Sequence, residues 1–323
     1  TEENTLSLHD ALPILGLALG AGAARGWAHI GVIEALEEAG IVPEVVAGCS
    51  IGALVGAAYV NGRLDDLKQW VTSLSRWDVA RFFELKWSLN GVADSARLRD
   101  ALIHHVADEQ TAIETLEKRF ASVATNLMNG QEIWLQHGSL LEAVWASIAL
   151  PGLFPPWHRH GEWLVDGGMV NPVPVSLCRV LRADVVIAVG LNEGLLRRRQ
   201  VGLWSPSAAE EVTQSDSTSL LDTLSRTLRE RAALLFPQPA EVDRPAMPGL
   251  FETLAISLNI MQERIFRSRM AGDPPEVVMT PWLGEIGILE FYRASEAIEI
   301  GRACVARMLP ELRETLAGFG HPS

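Results

Sequence analysis

Cysteine is scarce in this chain. Only Cys49, Cys178 and Cys304 occur, far apart and without Cys-x-x-Cys spacing. That excludes a disulfide framework and a cysteine-based zinc site, and it fits a reducing cytoplasm. Basic residues are outnumbered as well, 27 Lys and Arg against 40 Asp and Glu, for a formal net charge of −13. Such a surface repels phosphate polyanions, and no Lys/Arg stripe is long enough to offset it, so nucleic acid is excluded as a partner. Long apolar runs are also missing. The longest, such as Ile51 to Val60, contain glycines and stop short of the roughly 18 to 20 residues a membrane span needs.

What is present suits a globular protein. The 323 residues are 48% hydrophobic, enough for a full core in one large domain or one domain with an appendage. Thr1 to Pro13 lacks the ordered basic and apolar regions of a signal peptide. Leu6 to Ile14 resembles translated read-through of a sequencing adapter, so 1–13 is expected to be a non-native or disordered leader.

Periodicity then sets out the elements. Ile14 to Leu19 reads as a buried strand, followed by a Gly-rich turn and a helical pattern through Ile30, Ile33 and Leu36 that stops at Gly40. Val45 to Gly48 reads as a second strand and Ile51 to Tyr59 as a small-residue helix. Leu64 to His105 is mostly amphipathic helix, and Arg119 to Asn126 with Gln131 to Leu135 forms a hairpin around Asn129-Gly130. Ser139 to Ile148 is helical, and Trp163 to Val165 and Val185 to Leu191 are strands. Alternating strands and helices imply an α/β protein, a three-layer α/β/α sheet. The catalytic core is expected over 14–192. Residues 193–249, rich in Pro, Ser and Glu around one helical stretch, read as a mobile insertion. Residues 250–323 read as helices and a strand that complete the fold.

Gly48-Cys49-Ser50-Ile51-Gly52 is a Gly-x-Ser-x-Gly run between a strand and a helix, the setting of a nucleophile elbow. There the hydroxyl of Ser50 projects from a tight turn, while Gly48 and Gly52 let strand and helix backbones approach. Without that setting, the same run is a Gly-rich turn around a buried serine. Gly22, Ala23, Arg25 and Gly26, after the first strand, cluster backbone N–H groups at the same sheet edge and suit an oxyanion hole. A dinucleotide loop fits less well, because Arg25 stands where the third glycine of Gly-x-Gly-x-x-Gly is required. Arg25 either faces a lipid phosphate or pairs with an acidic neighbour to brace the loop. Asp166-Gly167-Gly168 closes a strand and holds a carboxylate at its tip, or is simply a turn.

A Ser-His-Asp order is not satisfied. After Asp166 the only histidine is His321, almost at the end of the chain, and His29, His104, His105, His137, His158 and His160 lie in no motif. A Ser50–Asp166 dyad is the economical reading. His158 and His160 would share a strand face, but nothing around them completes a metal-ligand pattern. No metal and no cofactor are expected. Ten tryptophans, with Trp157 following a Pro-rich stretch, suggest either core packing or an apolar rim for a lipid interface.

The combination of Gly22 to Gly26, Gly48 to Gly52, Ala146-Ser147 leading to Pro151, and Asp166-Gly167-Gly168 with Asn171-Pro172 resembles the patatin-like phospholipases, especially the small stand-alone bacterial members. Arg269 to Pro275 extends the likeness to that subgroup. The resemblance implies a three-layer fold and metal-free hydrolysis of acyl lipids by a Ser/Asp dyad. It also implies a lipid or acyl-ester partner; peripheral contact with the inner membrane face is an expectation from the apolar rim, and the net negative charge opposes strong binding to anionic lipid. It departs at Ala21 and Ala23, where glycine is usual; alanine keeps its N–H donor, so the hole survives if the local φ is negative. A rival reading is a regulatory or scaffolding protein with the same fold and slow turnover. Oligomeric state is left open.

Overall fold

A computed structural model describes residues 12–82, 95–192 and 250–320. The expected leader up to residue 11, the expected insertion at 193–249 and His321 lie outside the described residues. The chain runs β1 (Leu15–Leu19), α1 (Ala28–Glu38), β2 (Val45–Cys49), α2 (Ile51–Val60), α3 (Leu64–Ser73), α4 (Arg76–Phe82) and α5 (Ser95–His105). Next come β3 (Arg119–Asn126), β4 (Glu132–Leu135), α6 (Leu140–Ile148), β5 (Trp157–Arg159), β6 (Glu162–Asp166), α7 (Val175–Val180) and β7 (Val185–Val189). α8 (Leu250–Gly272), β8 (Val277–Met279) and α9 (Ala294–Gly318) follow. Among the described residues no helix is long and apolar enough to cross a membrane.

One sheet pairs in the order β5-β6-β3-β2-β1-β7-β8, with β4 also on β3. β3, β2, β1, β7 and β8 are parallel, as βα crossovers require; β4 and β6 are antiparallel to β3. Side chains alternate between two cores. Leu15, Leu17, Leu19, Val46, Phe120 and Ile187 face α1, α2, α6 and α9, whereas Ala18, Ala47, Ala121, Val123 and Ala188 face α7 and Phe266 of α8. The second face is built of small residues, and α7 seats closely on it: a Cβ on Gly16 would lie 3.2 Å from that of Cys178. Helices on both faces make the three layers expected from the alternation.

The register of β3 positions the site. Ser122 and Val123 pair with Gly48 and Cys49 of β2 and also with Leu135 and Trp134 of β4. Ala124 and Thr125 pair with Ile133 and Glu132 of β4 and with Asp166 and Val165 of β6. A strand has two edges, so β6 occupies the edge that β2 has just left. Because β6 runs antiparallel to β3, it points at the end of β2, with Cys49 opposite Val123 and Asp166 opposite Ala124. Two strands far apart in sequence thus meet tip to tip.

Three local expectations are corrected. The helical stretch from Leu64 is divided, with α3 ending at Ser73 and α4 starting at Arg76. The last helix, expected from the sequence to run from Leu289 to about Leu316, begins at Ala294 because Phe291 to Arg293 forms a 3-10 turn. His158 and His160 do not share a strand face: β5 ends at Arg159, and His160 has φ +49 in the turn before Gly161. The His158 ring packs on Trp163, 4.7 Å between centroids.

Candidate active site

β2 ends at Cys49 and α2 begins at Ile51, so Ser50 carries the whole change of direction, at φ +55 and ψ −124. That backbone costs a non-glycine residue about 1–3 kcal/mol and persists only where its surroundings over-determine it. The flanking glycines allow the turn. A Cβ on Gly48 would lie 2.4 Å from the Ala53 Cα, and one on Gly52 would lie 2.2 Å from the Leu19 carbonyl oxygen.

Ser50 Oγ donates to Asp166 Oδ2 at 2.5 Å. Asp166 is fully buried and heavily held: Oδ1 accepts from the Gly168 N–H at 2.7 Å, its own N–H donates to the Ala149 carbonyl, and its carbonyl accepts from the Thr125 hydroxyl. Burial raises the Asp166 carboxyl to about 6, against the lowering effect of the Ser50 and Gly168 bonds. A carboxylate of that basicity, aimed at a serine hydroxyl, can take its proton near neutral pH.

Ser50 opens into an apolar cleft enclosing about 760 Å³, part of it open to solvent. Its walls are Ala23 and Trp27 after β1, Ile51 and Leu54 of α2, Trp70 and Leu74, Val79 of α4, Leu98 of α5, then Ile148, Leu150, Leu153 and Phe154, and Phe291. Every lining residue except Ser50 is hydrophobic. The Pro-rich stretch therefore supplies cleft wall through Leu153 and Phe154, while Trp157 is half-buried and stacked on Trp145, 6.0 Å between centroids.

Of the four residues expected to offer an oxyanion hole, the structure separates two from two. Gly22 and Ala23 have backbone N–H groups with no internal acceptor among the described residues, and Ala23 lines the cleft beside Ser50. The Arg25 N–H donates to the Gly22 carbonyl at 3.2 Å. Gly26 serves packing: a Cβ there would lie 2.1 Å from Ile51 Cγ2. Ala23 has φ +50 rather than the negative value set as the condition, so the loop holds an alanine in the left-handed region, and its N–H still has no internal acceptor among the described residues. The first-turn N–H groups of α2, at Ile51 and Gly52, point out of the helix in the same neighbourhood.

The Arg25 side chain is turned inward, 5% exposed, with Nε donating to the Ile286 carbonyl at 2.8 Å and Nη1 reaching Asn192 Oδ1. These bonds, to a backbone carbonyl and an amide oxygen, brace the loop. His29 is fully buried, Nε2 lies 2.8 Å from the Gly20 carbonyl, and burial lowers its pKa to about 4. No histidine among the described residues lines the cleft.

Three contributors had no sequence signal of their role. Ser147 was visible only as part of a motif; its Oγ accepts from the Ser50 N–H at 2.9 Å. Asn192 donates to Gln262 Oε1 at 3.2 Å, and the Gln262 amide packs on Gly168, where a Cβ would lie 2.4 Å from its Nε2. Gln262 sits in α8, 70 positions from Asn192, and no local pattern connects them. Among the described residues no group of His, Cys, Asp and Glu could hold a metal ion.

The sequence model of the patatin-like phospholipase family matches residues 17–179. An uncharacterized NTE family protein of Mycobacterium tuberculosis is 33% identical over 340 residues, covering 92% of this chain and 91% of that protein. Lysophospholipase NTE1 of Pyricularia oryzae is 29% identical over 316 residues, 93% of this chain but 19% of its own length. The crystal structure of VipD from Legionella pneumophila superposes with a TM-score of 0.45 at 14% identity, covering 92% of this chain and 66% of that one. On the family match and the mycobacterial relative, the chain belongs to the patatin-like phospholipase family.

Proposed function

We propose that this protein hydrolyses acyl esters of lipids, phospholipid or lysophospholipid, through an acyl-enzyme on Ser50 with Asp166 as general base. The observation that carries the reading is the 2.5 Å bond from Ser50 Oγ to a buried carboxylate, at the wall of a cleft otherwise lined by hydrophobic side chains. The family supports it, and so do relatives named lysophospholipase in Pyricularia oryzae and Emericella nidulans.

In this mechanism the acyl chain lies in the cleft and its carbonyl carbon meets Ser50 Oγ. As the Oγ–C bond forms, the hydroxyl proton passes to Asp166 Oδ2, and the carbonyl oxygen becomes an oxyanion facing the free N–H groups of Gly22 and Ala23. Asp166 returns the proton to the leaving alcohol as the ester C–O bond breaks. Water then attacks the acyl-serine, giving its proton to Asp166, and collapse of the second tetrahedral species releases the fatty acid and restores Ser50. No step calls for a cofactor or a metal ion.

Contact with a lipid surface belongs to the same proposal. Trp77 is 79% exposed on α4, the helix whose Val79 lines the cleft, and an exposed indole beside an acyl site suits a bilayer interface. The deciding experiment is fluorophosphonate labelling with peptide mapping, followed by lipid profiling of cells expressing wild type or Ser50→Ala. Label on Ser50 and accumulation of one acyl-lipid class in the variant support the reading. Absence of both overturns it.

A further inference from the structure

Both members of the Ser50–Asp166 pair are tied to the same short piece of chain. Ser147, in the last turn of α6, accepts the Ser50 N–H at 2.9 Å and donates its own hydroxyl to the Val123 carbonyl at 2.7 Å. Ala149, the residue capping α6, accepts the Asp166 N–H at 3.0 Å. Ile148, between them, lines the cleft. Helix ends leave carbonyls without intrahelical partners, and here one of them is used to hold a strand tip.

We propose that the C-terminal turn of α6 is the device that positions the pair, with Ser147 as a positioning residue for Ser50. The direction of an N–H is set by φ, and Ser50 holds φ +55. An acceptor placed to meet that N–H stabilises this backbone over the ordinary ones, in which Oγ would swing away from Asp166. The acceptor is a side chain: among the described residues no backbone carbonyl accepts the Ser50 N–H. Ser147 is itself fixed by its bond to Val123, the residue opposite Cys49 in the sheet, so helix, strand and elbow form one rigid joint. Ser147 is fully buried with its proton committed, so it does not compete as a nucleophile.

The inference rests on Ser50 being the nucleophile, and the test separates the two claims. Ser147→Ala is compared with Ser122→Ala, which removes an equally buried hydroxyl bonded to the same helix, at the Ala143 carbonyl, without touching the pair. The full chain is assayed with p-nitrophenyl butyrate and a fluorophosphonate. Both variants should lose similar thermal stability. Only Ser147→Ala should lose kcat and labelling rate, by about 100-fold as expected for a misplaced reacting group, with KM held within about twofold. If Ser147→Ala does not fold, Ser147→Cys, a weaker acceptor of similar size, should give a smaller loss of the same kind, about tenfold. Labelling of the Ser147 variant at the wild-type rate, an equal loss of kcat in Ser122→Ala, or a loss confined to KM overturns the inference. Wild-type protein that does not label at Ser50 removes the underlying reading and this one with it.

Discussion

Ser50 is half-buried and Asp166 wholly buried, and the 2.5 Å bond between their side chains joins positions 116 apart in the chain. Gly168 occupies the other carboxylate oxygen, so Oδ2 alone faces the hydroxyl. Ser50→Ala should lose all fluorophosphonate labelling while keeping the fold. Asp166→Asn should lower ester hydrolysis by about 10²–10⁴-fold, the usual worth of a general base. Single Gln variants of His104, His105, His137, His158 and His160 should hydrolyse a soluble ester at rates near wild type. A folded histidine variant as inactive as Asp166→Asn would restore a triad.

The pH profile follows from the same carboxyl. Asp166 works as a base only when ionised, and burial raises it to about 6, so kcat/KM on a soluble ester should climb with pH and level off above about 7. Activity that is flat from pH 5 to 8 contradicts the assigned base.

Stability should run the opposite way. With its folded value raised from 3.8 to about 6, Asp166 binds more protons in the folded than in the unfolded chain between those pH values. Its favourable contribution is therefore complete below about pH 4 and is lost as pH rises through 6, a change of about 3 kcal/mol. Asp166→Asn removes this loss and can still accept the Gly168 N–H. Melting temperatures of both proteins at pH 5 and pH 8 should show the variant gaining on wild type at the higher pH. A variant that loses ground there would mean the carboxylate is stabilising.

Chain-length preference tests the cleft. Leu74 is partly buried and lines the wall away from the elbow sequence, so Leu74→Trp should narrow the space for an acyl tail without touching Ser50 or Asp166. With apolar pocket contacts worth about 10- to 200-fold in discrimination, kcat/KM for a long-chain ester should fall at least about tenfold, and that for an acetyl or butyryl ester should stay near wild type. Equal losses on both would place the acyl chain elsewhere.

The crossing of α1 and α9 supports the loop that precedes α1. A Cβ on Gly31 would lie 1.9 Å from the Ile298 carbonyl oxygen, and one on Gly301 would lie 2.1 Å from that of Ala28, so the two helices touch backbone to backbone. Gly301→Ala should destabilise the protein by about 1–3 kcal/mol through overpacking, despite the helix propensity of alanine, worth about 1 kcal/mol over glycine. Urea unfolding measures it. A more stable variant would show that the helices can part freely.

The amino-acid sequence by itself determined the elements and the nature of the reactive residues. Short continuous apolar runs such as Leu15–Leu19 and Val185–Val189, bounded by turn residues, read as buried strands, and a Gly-x-Ser-x-Gly run between strand and helix turns sharply because only its glycines tolerate the approach of Leu19 and Ala53. Those properties are local. What the tertiary structure decided is non-local. That β6 takes the edge of β3 just beyond β2, bringing Asp166 to Ser50, depends on pairing between strands separated by several helices. The inward turn of Arg25 toward Ile286, the positive φ of Ala23, and the bonds of Ser147 and Gln262 likewise depend on which surfaces meet after folding. Periodicity records which face of an element is buried; it carries no information about which residue of another element lies against that face.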